Sequence, residues 1–188
     1  GVAPEAPVSS WDGRFEGKTD VLRGNTCPFY PGFDTEVLDV ARVDLWLKEF
    51  RKQVADGNVP RLTILRLGND HTEGTRLGAR TPRAMVGDND LALGRLVEAI
   101  SASPVWKESA IFVLEDDAQN GPDHVDAHRT VGLVVSPFTR RAGAVDSTLY
   151  STTSMVRTIE LILGLPPLSQ HDASATPMTA AFAPAYTH

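Results

Sequence analysis

The stretch AIFVLEDDAQNGPDHVDAHRTVGLVVS, residues 110–136, decides how this chain is read. AIFVL at 110–114 is an apolar run without alternation, the pattern of a strand covered on both faces in a parallel sheet. TVGLVVS at 130–136 is a second such run, closed by Pro137. Between them stand three consecutive carboxylates, Glu115, Asp116 and Asp117, at a strand end. Like charges this close repel strongly in a low dielectric unless cations compensate them. Asp123, His124, Asp126 and His128 add oxygen and nitrogen donors, and Gly121 and Pro122 turn the chain between the two halves. Such a mixed donor set suits zinc, manganese or iron better than magnesium. The competing reading is a solvated acidic turn with incidental histidines. Against it stands the clustering of two histidines and five carboxylates in one loop.

Upstream, LTILRL at 62–67 is short, apolar and β-rich, which predicts a strand running into the polar loop GNDHTEGTRLGARTP. Asp70 and His71 in that loop read either as a ligand pair or as an Asx turn. Asn69 and Thr72 read as residues that orient the histidine or meet substrate oxygens. Helical spacing begins at Asp34 and passes through Val37, Leu38, Ala41, Leu45, Leu47 and Val54, with Asp34 or Thr35 as cap and Gly57 at the end. A second helix is expected over Ala84 to Ser101, stopped by Pro104. Asn89 and Asp90 on it read as local capping or hydrogen-bonding residues. A third helix is expected from Ser151 to Leu163, with Ser151 or Thr152 as cap and Gly164 past its end.

The order helix, strand, helix, strand, strand, helix predicts an α/β fold. In sheets covered by helices, ligands sit at the carboxyl ends of strands. Both chemically rich loops follow predicted strands, so they are expected on the same sheet edge. Residues 1–33, broken by Pro4, Pro7, Gly13, Gly17, Gly24, Pro28, Pro31 and Gly32, read as an irregular arm ahead of a domain over 34–188. The Ala- and Pro-containing tail from Ser174 reads as a closing strap.

Composition removes several classes of function. A chain of 188 residues buries roughly 70% of its unfolded surface in one core. A net charge of −6 argues against nucleic-acid scaffold binding, which depends on clustered Lys and Arg; Arg140 and Arg141 are too short a basic run to reverse that. Cys27 is the only cysteine, so no intrachain disulfide forms. No apolar stretch approaches the roughly 20 residues of a membrane span, and the opening GVAPEAPVSS lacks the basic and apolar blocks of a signal peptide.

Four stretches carry a family resemblance: NDHTEG, TPRAMVGDNDLALGRLVEAIS, IFVLEDDAQNGPDHVDAHRTVGLVVSPFTRR and STTSMVRTIELILGLPPLSQHDASATPM. They resemble the C-terminal half of bacterial phosphoesterases of the alkaline phosphatase superfamily, relatives of phospholipase C and acid phosphatase. The resemblance implies a three-layer α/β/α sandwich with a mostly parallel sheet, two neighbouring metal sites and a Ser or Thr nucleophile that forms a covalent phospho-enzyme. It implies metal ligation by Asp116 and Asp117, and by Asp70, His124 and His128, with His71 and His124 in phosphate binding or leaving-group protonation. The implied cofactor is a divalent metal, zinc first, with manganese, iron or calcium as alternatives. The implied substrate is a phosphate ester, and the implied location is the periplasm or the exterior. His171 is expected to be peripheral.

Ser9, Ser10, Thr19 and Thr26 all sit in the irregular arm, so no strand-end nucleophile of the family's kind is evident. The resemblance therefore implies an incomplete domain whose nucleophile belongs to an upstream part of a longer chain. Two other readings stay open: a non-catalytic structural or partner-binding fragment, and a small hydrolase that uses metal-activated water.

Overall fold

The computed structural model describes residues 20–22, 24–116, 130–140, 143 and 145–183, and its backbone forms two compact units, Gly1–Ser103 and Pro104–His188. The first is built on two helices. Helix α1, Asp39–Ala55, buries Val43, Leu47 and Phe50, spaced four and three residues apart so that they share one face. Helix α2, Pro82–Ser101, buries Met85, Ala92 and Leu96, and the two helices pack together through these faces. Trp46 stacks on Phe50 at 4.7 Å between ring centroids.

Helix ends follow from capping chemistry. Thr81 caps α2, its hydroxyl accepting from the Ala84 N–H at 3.3 Å, and Pro82 fills the first turn, so α2 begins two residues before the apolar spacing suggests. Helix α1 starts at Asp39 rather than Asp34. The Asp34 carboxylate accepts from the Glu36 N–H and its carbonyl from the Val37 N–H, which makes a turn in place of a helix. Gly57, at φ 65°, takes the left-handed conformation past the end of α1.

The strand expected at 62–67 forms no ladder among the described residues. The segment runs extended into a 3-10 turn, Asn69–His71. Leu65 and Leu67 are partly covered, while Ile64 is 88% exposed. Apolar β-propensity favours extension here, but a strand also needs a hydrogen-bonding neighbour.

The second unit contains the β-strands. β1, Ile111–Leu114, pairs with β2, Gly132–Val135, in the register Ile111↔Val135, Phe112↔Val134, Val113↔Leu133 and Leu114↔Gly132. The pairing is antiparallel, which corrects the expectation of a parallel relation between these two runs. The apolar runs were legible as strands, but lack of alternation says nothing of strand direction, and no residue of either strand is fully buried, so the expected cover on both faces is not seen among the described residues. The chain is thus mixed helix and sheet, and a mostly parallel sandwich is not seen among the described residues.

Helix α3, Thr152–Leu163, is closed by a capping box between Ser151 and Ser154 and ended by Gly164 at φ 69°. A short helix α4, Gln170–Ala173, precedes the tail, and the tail itself holds a 3-10 turn, Thr179–Ala181, and a bridge from Phe182 to Thr139, so it is more regular than a loose strap. Glu160 and Asp172 are both buried and both accept from the Leu168 N–H, at 3.2 and 2.6 Å. Arg157 reaches Glu160 at 3.2 Å. The Ser169 hydroxyl, aided by that Leu168 N–H, holds the Asp172 carboxyl well below its ordinary value of 3.8.

Met85→Ala, at a side chain 1% exposed, is expected to cost about 2–5 kcal/mol in urea unfolding. Because the folded-state pKa of Asp172 is depressed, its contribution to stability is present above pH 3.8 and is lost as pH falls below it. Asp172→Asn should therefore lower the urea midpoint at neutral pH and flatten its decline through the carboxylate range. A wild-type slope retained in the variant would assign the acid sensitivity elsewhere.

Candidate functional site

Asp70 and His71 occupy the 3-10 turn that follows the extended segment, and a buried polar cluster fixes this turn. Asp39, fully buried at the start of α1, accepts from two successive backbone N–H groups, Gly68 at 2.9 Å and Asn69 at 2.8 Å. Asn89 on α2 donates to the same carboxylate at 3.0 Å, so its partner lies 50 residues away and it is not a local capping residue. Asp88 accepts from the Asp39 N–H at 2.6 Å and from the Asn69 side-chain amide at 2.5 Å. Helix α1 has Leu38 at its N-cap position, with no side-chain acceptor of its own; Asp88 supplies one from the neighbouring helix. Buried Asn69 keeps its Oδ1 without a partner among the described residues.

Arg42, 2% exposed, offsets the Asp39 charge at 3.3 Å. Its other nitrogens donate to the carbonyls of Pro31, Gly32 and Asp34 at 2.7–2.8 Å. One ion pair therefore ties together two loops, 31–34 and 68–71. They meet at Phe33, whose ring lies edge-on to His71 at 5.4 Å and under the Arg66 guanidinium at 4.6 Å. The Tyr30 hydroxyl donates to the Arg66 carbonyl at 2.6 Å, and burial pushes the phenol well above its ordinary value. Downstream, the Thr35 hydroxyl donates to Glu73 and Arg80 donates to the Thr35 carbonyl, which closes the loop 73–80 back onto the start of this region.

His71 is exposed, and its Nδ1 lies 2.9 Å from the Thr72 carbonyl oxygen. A carbonyl only accepts, so this contact is a hydrogen bond in the tautomer with the proton on Nδ1, which leaves the Nε2 lone pair outward in the neutral ring. Thr72 itself sits at φ 58°, a left-handed conformation that costs a β-branched residue about 1–3 kcal/mol. The strain turns its carbonyl to the imidazole. The contact of Thr72 with the histidine is thus through its backbone carbonyl.

In the second unit, Glu115 extends the ladder by one residue, its N–H donating to Val131 O at 3.2 Å. The Thr130 hydroxyl donates to both the carbonyl and the carboxylate of Glu115, at 3.1 and 3.0 Å. Glu115 therefore braces the base of the acidic loop, and Asp116 is the exposed carboxylate just beyond it. Asp117, Asp123, His124, Asp126 and His128 lie outside the described residues, and among the described residues no three His, Cys, Asp or Glu side chains converge as a metal group. His171 is exposed on α4, its N–H bonded to the Ser169 hydroxyl.

Asp39, Arg42 and Asp88 were missed in the sequence. A first-turn Asp and an Arg three residues later read as an ordinary helix surface, and only the burial of both at tertiary level reveals them.

Asp70 and His71 are thus consecutive residues of one turn whose preceding amides are pinned by Asp39. Residues 27–166 match the family model described as the Phosphoesterase family, and the chain belongs to that family. The search of curated proteins and that of solved structures each returned no match.

Arg42→Met should cost about 3–5 kcal/mol in urea unfolding, because it leaves the Asp39 charge buried and unpaired. Arg95→Met, which removes an exposed pair with Asp44, should cost less than about 1 kcal/mol. Equal losses for the two variants would refute the burial argument.

Proposed function

We propose that this chain supplies the ligand-bearing part of a metal-dependent phosphoesterase that hydrolyses phosphate mono- or diesters. The observation that carries the reading is the Asp70–His71 turn, pinned from beneath by Asp39, within a stretch matching the Phosphoesterase family. Asp70, Asp116, Asp117, His124 and His128 would hold the metal, zinc first. The ion, when bound, neutralises charge that develops on the phosphoryl oxygens. His71 Nε2, free as a lone pair, takes or returns a proton at the substrate or leaving-group oxygen, and His124 shares that work.

The same reading has the NDHTEG and EDDAQNGPDHVDAHR loops each following a strand of a larger, mostly parallel α/β/α sheet. The extended segment 62–67, with Ile64 largely exposed, supports this because it has the composition of a strand and lacks a neighbour among the described residues. An upstream part of the full-length protein would complete that sheet and provide the attacking Ser or Thr.

Elemental analysis of protein purified without chelator should find zinc, and Asp116→Ala combined with Asp117→Ala should remove most of it. Metal-free wild-type protein would overturn the metal assignment. Zinc-dependent release of a chromogenic alcohol from its phosphate ester is expected once the upstream part is present, and persistence of that activity in EDTA would count equally against it.

A further inference from the structure

We infer that Asp39 is a positioning residue for His71, an inference that rests on the phosphoesterase reading for its functional meaning. Its carboxylate grips the two amide N–H groups immediately before Asp70, at 2.9 and 2.8 Å. Two adjacent amides held by one buried carboxylate fix the direction in which the next residues leave the extended segment. The grip is itself held from three sides: by Asn89 at 3.0 Å, by Arg42 at 3.3 Å, and by the Asp39 N–H bonded to Asp88 at 2.6 Å. Asp88 also takes the Asn69 side-chain amide, so backbone and side chain of the residue ahead of Asp70 are both fixed.

Arg42 carries the same constraint to the other side of the imidazole. By holding the carbonyls of Pro31, Gly32 and Asp34 it sets Phe33, the ring that meets His71 edge-on. His71 is exposed and has few contacts of its own, so its direction comes from these two loops and from the Thr72 carbonyl. Asp39 touches no substrate in this arrangement; it acts through the turn. Residues that orient ligands and proton carriers in this way typically change affinity by about 10–100-fold when altered.

The test compares wild type, Asp39→Asn, Asn89→Ala and, as control, Asp44→Asn, whose carboxylate is exposed on α1 and outside this cluster. Ring cross-peaks from ¹³C-labelled histidine report the surroundings of His71, with exposed His171 as internal reference, and zinc affinity is titrated in parallel. Asp39→Asn should move the His71 cross-peak toward that of His171, leave the His171 peak in place, and weaken zinc binding about tenfold or more. Asn89→Ala removes one donor and keeps the carboxylate, so it should move the same peak in the same direction by less; this variant decides the matter if Asp39→Asn does not fold. Folded variants with an unmoved His71 peak and zinc affinity within twofold of wild type overturn the inference. Should wild type bind no zinc, the metal reading fails, while the His71 peak still tests the clamp.

Discussion

The first unit depends on one buried ion pair. Asp39 and Arg42, 0% and 2% exposed, face each other one helical turn apart at the start of α1. Removing two charges from water costs several kcal/mol per ion, and their mutual attraction offsets that only when the remaining donors and acceptors are also satisfied. Here Gly68, Asn69 and Asn89 donate to the carboxylate, and the Pro31, Gly32 and Asp34 carbonyls accept from the guanidinium, whose Nε lies 3.3 Å from Asp39 without a hydrogen bond among the described residues. The pair replaces the hydrophobic contacts that usually anchor loops. It ties irregular backbone on both sides of α1 to the helix.

The second unit solves a similar problem with carboxylates. Buried Glu160 and Asp172 converge on the Leu168 N–H and so fix the turn between α3 and α4. At the far end of the ladder, Glu115 is bound by Thr130 and Val131 across the strand pair. A carboxylate in an acidic run thus has a structural partner. In both units, acidic side chains organise loops through backbone N–H groups, where charge-assisted hydrogen bonds are about twice as strong as neutral ones.

What could be read in the sequence was whatever is encoded locally. Gly57, Ser151 and Gly164 mark helix ends through capping and left-handed geometry, and the helices end or begin where those residues predict. The α1 start was misread because the acceptor at its N-terminus comes from Asp88, 49 residues away. The strand at 62–67 was over-read, since composition encodes extension but not a partner, and the direction of the β1–β2 pair was invisible for the same reason. Of the candidate site, Asp70, His71 and Asp116 were legible as chemistry at segment ends. The Asp39 clamp was not, because a helix-surface Asp and a buried one share the same letters.

The Thr72 carbonyl has a consequence for how His71 handles charge. Its bond to Nδ1 exists whether Nε2 is bare or protonated, so the neutral imidazole and the imidazolium keep one orientation. The positive φ of Thr72 thus places a backbone carbonyl where it sets the direction of a neighbouring ring.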